Sequence, residues 1–218
     1  MVHFNEATNE LAFKIVYYGP AHSGKTQNLH FIHKKLAPFA KSELISLETE
    51  TARTLYFDLL PVNMGQIQGT GVRLLLYSVP GQIFYQHART KILQSADAVI
   101  FVVDSDKAKL PENRECYRDM VVNMQTNGLK LTDIILFFQY NKRDLPYSLP
   151  IEILNAEINH RHAPYHEAVA LSGIGVVETL KELSKLLLNK VAKTQTSIFK
   201  SPDRHPSSSD RPALSPSS

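Results

Sequence analysis

Gly19 to Thr26 reads G-P-A-H-S-G-K-T, placed where an apolar run ends and a helical pattern begins. A loop of the form G-x-x-x-x-G-K-[ST] converges its backbone N–H groups on an anion, and the positive end of the following helix adds to the pull. Lys25 is the residue expected to reach the β- and γ-phosphates. Thr26 is expected to offer its hydroxyl to magnesium. Gly19, Ala21, His22, Ser23, Gly24, Lys25, Thr26 and Gln27 are therefore the expected phosphate-side contacts, with His22 pointing into solvent.

This loop alone leaves ATP and GTP open. Asn141-Lys142-Arg143-Asp144 follows an apolar run far downstream and matches the N-K-x-D pattern of small GTPases. A carboxylate at Asp144 can accept from both the N1 and N2 donors of guanine, a pair that adenine lacks. The Lys142 stem can cover the base, and Asn141 can tie this segment to the phosphate loop. Val79-Pro80-Gly81-Gln82 resembles the second switch of Ras-like proteins: Gly81 can give its N–H to a γ-phosphate, and Gln82 can orient the attacking water.

These residues need a scaffold. Leu11–Tyr18, Val99–Asp104 and Ile134–Tyr140 are apolar runs of strand length, and Val99–Asp104 is the near-continuous kind expected in a parallel sheet covered on both faces. Val2–Asn5, Thr54–Leu60, Val72–Val79 and Tyr165–Ala170 read as further strands, with a hairpin turn in Gln66–Gly71. Lys25–Leu36, closed by Pro38, Pro111–Asn127, Ile151–Asn159 and Gly175–Val191 read as helices. Residues 39–53 read as a loop. Alternating strands and helices give an α/β fold with a mostly parallel sheet and ligands at the carboxyl ends of its strands. The expected division is a domain over 1–193 and a disordered Ser/Pro-rich tail over 194–218.

The chain has 218 residues, a hydrophobic content of 43% and a net charge of +3, too weakly basic to argue for nucleic acid. Cys116 is the only cysteine, so no internal disulfide can form. No apolar run reaches the length of a membrane span, and secretory, acyl and prenyl signals are not expected. His160, His162 and His166 lack metal-ligand spacing and read as a solvated loop.

The run Thr49 to Pro61 (T-E-T-A-R-T-L-Y-F-D-L-L-P), with Val79–Gln82 and Asn141–Pro146, resembles the MglA family of bacterial Ras-like GTPases. The resemblance covers about residues 3–192. It implies a three-layer small-GTPase fold with one antiparallel interswitch strand pair and helices on both faces. It implies a magnesium-dependent GTP switch for cell polarity and gliding or type IV pilus motility. By the same resemblance Arg53 is a built-in arginine finger, and Thr54 is the first-switch threonine that holds magnesium. The main chain of Val169-Ala170-Leu171 meets the guanine O6 at Ala170. A Roadblock-fold homodimer of the MglB type is the implied activator. The implied location is the cytoplasm, with clustering at a cell pole through partners and no membrane insertion. Two residues depart from the pattern. Ser78 stands where Ras-like proteins usually carry the Asp that holds magnesium through water, and Asp58 on the neighbouring expected strand is its candidate replacement. Ala21 stands where Gly is usual, and its methyl can crowd Gln82 or Arg53. Both departures favour a rival reading, a nucleotide-dependent binding scaffold with little hydrolysis; an ATPase is a further rival.

Overall fold

The computed structural model describes residues 3–5, 8–36, 44–47, 57–67, 69–80 and 86–199, the last six of these as backbone only. Among the described residues, eight strands form one sheet. They are β1 (His3–Asn5), β2 (Glu10–Tyr18), β3 (Ile45–Leu47), β4 (Phe57–Ile67), β5 (Thr70–Ser78), β6 (Ala98–Asp104), β7 (Ile135–Asn141) and β8 (Tyr165–Glu167). The helices are α1 (Lys25–Leu36), α2 (Gln86–Leu93), α3 (Leu110–Thr126), α4 (Ile151–Ile158) and α5 (Val176–Phe199).

The sheet order is β3-β4-β5-β2-β6-β7-β8. β2 pairs parallel with β5 on one edge and β6 on the other, and β6, β7 and β8 continue in parallel. The expected antiparallel pair is β4 with β5, and two short antiparallel pairings add to it, β3 on β4 and β1 on β2. Since β5 holds one edge of β2 from Glu10 to Tyr17, β1 at Glu10–Ala12 sits in line with β6 on the opposite edge.

Every residue of β6 is buried, which explains its unbroken apolar sequence: both faces are covered. On one face α1 and α5 bury Leu29, Ile32, Val176, Leu183 and Leu187 against Phe13, Ile15, Leu74 and Phe137. On the other, α2, α3 and α4 bury Ile92, Met120 and Leu154 against Val16, Val99, Phe101 and Phe138. Alternate residues of β2 therefore serve different cores, as a strand's two-residue period requires. Each fully buried aliphatic or aromatic side chain contributes roughly 1.5–3 kcal/mol. The Lys14 ammonium lies 4.8 Å from the Tyr77 ring centroid and donates to Gln94 O at 2.9 Å, just past the carboxyl end of α2.

β4 runs further than expected, to Ile67. β8 stops at Glu167 rather than Ala170, so residues 168–170 turn toward the end of β7. β3 lies inside the segment read as a loop. α5 continues to Phe199, past the expected boundary at 193. Residues 200–218 lie outside the described residues.

Candidate nucleotide site

The expected phosphate loop sits between the end of β2 and the first turn of α1, at the carboxyl edge of the parallel strands. Two of its residues must be glycine. A Cβ on Gly19 would stand 2.3 Å from Val102 O, and one on Gly24 would stand 2.2 Å from Asn141 Nδ2. Gly24 also has φ +103, a conformation that L side chains rarely adopt. His22 has φ 62 and is exposed, as expected. Ala21 and Gln27 are half-buried.

The Lys25 side chain is buried, and its ammonium donates to Gly19 O at 2.9 Å and Pro20 O at 2.6 Å. It therefore lies within the loop's own rim. Burial, with a smaller contribution from the Arg89 charge, lowers this ammonium to about 8.

Asn141 joins the loop to the base side. Its Nδ2 donates to Ser23 O at 2.7 Å and its Oδ1 accepts from Ala170 N at 2.8 Å, with the side chain 2% exposed. The expected tie from Asn141 to the phosphate loop is thus a direct hydrogen bond. The Ala170 N–H, expected to face the base, is engaged by Asn141. The next amide, Leu171 N–H, has no partner among the described residues, and the Leu171 side chain is 77% exposed. Val169 closes a small bridge to Ile174 that shapes this turn.

Lys142 has φ 64, which turns its side chain back toward β6. Its ammonium forms an ion pair with Asp104 Oδ2 at 2.7 Å, and Asp104 is 1% exposed. The head of Lys142 is therefore held by a buried carboxylate. Asp104 escaped the sequence reading because it ends an apolar strand, and only the parallel register, Asp104 opposite Asn141, brings it to Lys142. Asp144 is exposed, and its carboxylate has no hydrogen-bond partner among the described residues. Arg143 faces away: its Nε meets Glu167 Oε2 at 2.9 Å and its guanidinium donates to Leu149 O at 2.6 Å, which secures the loop after β7.

On the phosphate side Asp58 and Ser78 are directly opposite in the antiparallel ladder. Asp58 Oδ2 accepts from Ser78 Oγ at 2.7 Å and from Thr26 Oγ1 at 2.8 Å. A carboxylate thus faces position 78 from across the ladder, beside the hydroxyl of Thr26. A carboxylate and a hydroxyl are the hard oxygen donors that magnesium prefers, so this pair fits the ion. Arg53, Thr54, Gly81 and Gln82 lie outside the described residues.

The model of the ADP-ribosylation factor family matches residues 5–187. The chain belongs to that family. It is an α/β small GTPase, a switch whose reaction is hydrolysis of GTP to GDP and phosphate. It is 45% identical over 193 residues to the mutual gliding-motility protein MglA of Myxococcus xanthus, covering 88% of this chain and 99% of that one. It is also 27% identical over 154 residues to the Ras-related protein Rab-32C of Dictyostelium discoideum, covering 69% of this chain and 67% of that one. No helix among the described residues of this small GTPase is long and apolar enough to cross a membrane.

Proposed function

We propose that this small GTPase is a guanine-nucleotide switch for cell polarity and gliding or pilus-based motility. The single observation that carries the nucleotide reading is the Asn141 side chain. It fastens the loop at Ser23 to the turn at Ala170 and leaves the Asp144 carboxylate open to guanine N1 and N2. The motility role is supported by the likeness to the Myxococcus protein, whose name states it.

In this reading Gly19, Gly24 and Lys25 hold the phosphates, and Lys142 and Leu171 flank the base. Thr26 and Asp58 hold magnesium, joined by Thr54 from the first switch. Magnesium, when bound, neutralises charge on the β- and γ-phosphates. Gln82 orients the attacking water, Arg53 stabilises charge on the transferring phosphoryl group, and Gly81 contacts the γ-phosphate. A Roadblock-fold homodimer of the MglB type accelerates turnover by holding these segments in place. The site of action is the cytoplasm, clustered at a cell pole through partners.

The scaffold reading, which Ser78 favoured, loses support once Asp58 is seen opposite Ser78 with Thr26 beside it. Ala21 alone still favours it. Single-turnover GTP cleavage, with and without a Roadblock-type protein, tests the choice. We expect slow cleavage alone, acceleration with the partner, and a loss of roughly 10³-fold or more in Arg53→Ala. GTP left intact for hours in both conditions would make the protein a scaffold. Competition of ATP against labelled GDP excludes or exposes an ATPase, and Asp144→Asn should shift preference toward xanthine nucleotides.

A further inference from the structure

Helix α2 opens at Gln86, directly after the segment that carries Gln82, and its Arg89 is buried at 4% exposure. Arg89 NH1 lies 3.3 Å from Asp119 Oδ2 on α3. That same oxygen accepts from the Tyr18 hydroxyl at 2.5 Å and from Asn123 Nδ2 at 3.0 Å. Asn123 Nδ2 also donates to the Tyr18 oxygen at 3.0 Å, while Asn123 Oδ1 accepts from the Thr90 hydroxyl at 2.8 Å. Asn127 Nδ2 then donates to Thr90 O at 2.6 Å. Tyr18 is the last residue of β2, adjacent to Gly19 of the phosphate loop.

Apolar residues would pack α2 on α3 at least as well as a buried ion pair does, because desolvating both charges offsets most of their attraction. What directional bonds add is a fixed geometry. Here the bonds converge on one carboxylate from three elements: the helix that follows the second switch, the helix behind it and the strand that leads into the phosphate loop.

We propose that the Tyr18–Asp119–Arg89 network is a positioning device for hydrolysis: it fixes the setting of α2, the helix that follows the second-switch motif in sequence, relative to the phosphate loop. The proposal rests on the reading of Gln82 given above. None of the three residues belongs to the nucleotide contacts, so the network acts through the groups it holds.

The test is single-turnover GTP cleavage beside the dissociation constant for magnesium–GDP, in the parent, Tyr18→Phe, Asp119→Asn, Tyr18→Phe/Asp119→Asn and Gln82→Ala proteins. Tyr18→Phe keeps the ring and removes only the hydroxyl. Thr90→Val, at the partly exposed end of the network, serves as a second mild variant. We expect each network variant to slow cleavage roughly 10- to 100-fold, the scale of an ångström's misplacement, with GDP affinity within about twofold of the parent. The double variant should be no slower than the slower single variant, since both changes break one unit. A parent rate that depends on Gln82 but is unchanged in Tyr18→Phe and Thr90→Val overturns the network. Equal rates in the parent and Gln82→Ala overturn the reading beneath it.

Discussion

Asn141 and Asp58 anchor the two corners of the candidate site by different means. Asn141 is buried, and both ends of its amide engage main-chain groups that cannot rotate away. Asp58 is half-buried, and one of its oxygens collects two side-chain hydroxyls, each free to turn toward a new acceptor. The base corner is thus set by the backbone itself. The proposed magnesium corner is held by side-chain bonds that a hydrated cation would replace. Recognition of the purine calls for a rigid template, while a corner that must distinguish triphosphate from diphosphate calls for exchangeable bonds.

Asn141→Ala should produce the largest effect. It leaves Ser23 O and Ala170 N–H buried without partners, at about 1–3 kcal/mol each. We expect the urea midpoint to fall accordingly and calorimetric GDP affinity to drop by more than ~100-fold, about 2.7 kcal/mol. A small change in both would put the base corner on the same loose footing as the other.

Asp58→Asn should separate the corners more subtly. The amide keeps its shape and one acceptor, so unfolding should shift by less than about 1 kcal/mol. The magnesium concentration needed to retain GDP, followed by nucleotide release against a chelator series, should rise ~10-fold or more. A stability loss as large as that of Asn141→Ala would show that Asp58 is a structural pin.

The smallest effect is a proton. The Lys25 ammonium lies at about 8, below its ordinary 10.5. Between those values the unfolded chain holds a proton that the native loop has released, so this group's contribution to stability rises with pH across the window. Polyphosphate favours the ammonium. Titrations of GDP near pH 9 in buffers of different ionisation enthalpy should therefore reveal proton uptake that is absent near pH 6.5. Equal proton counts at both pH values would mean that the lysine does not meet the phosphates.

Much of this was legible in local chemistry. The bounds of α1, Lys25 to Leu36, follow from a glycine loop at one end and an approaching proline at the other. β6 declared itself by an apolar run with nothing to alternate. The outer half of β4, Pro61 to Ile67, did not, because proline, asparagine, glycine and glutamine carry little strand preference. Only its pairing with β5 makes that stretch extended. β8 was read too long because Ala168–Ala170 looks like strand, yet its backbone is diverted to Asn141. The phosphate loop and Asp144 were readable as motifs. Asp104, Asp119 and Arg89 were not, since each gains its meaning from a partner on another element.

The Asn141 bond to Ser23 closes a separation of 118 positions, and its bond to Ala170 a further 29. Such long closures require β2, β6 and β7 to be side by side. A half-assembled polypeptide therefore has no purine pocket to offer. Guanine nucleotide rewards only finished molecules, by mass action on the native form. The ligand that runs the switch thus also acts as a check on the completeness of its folding.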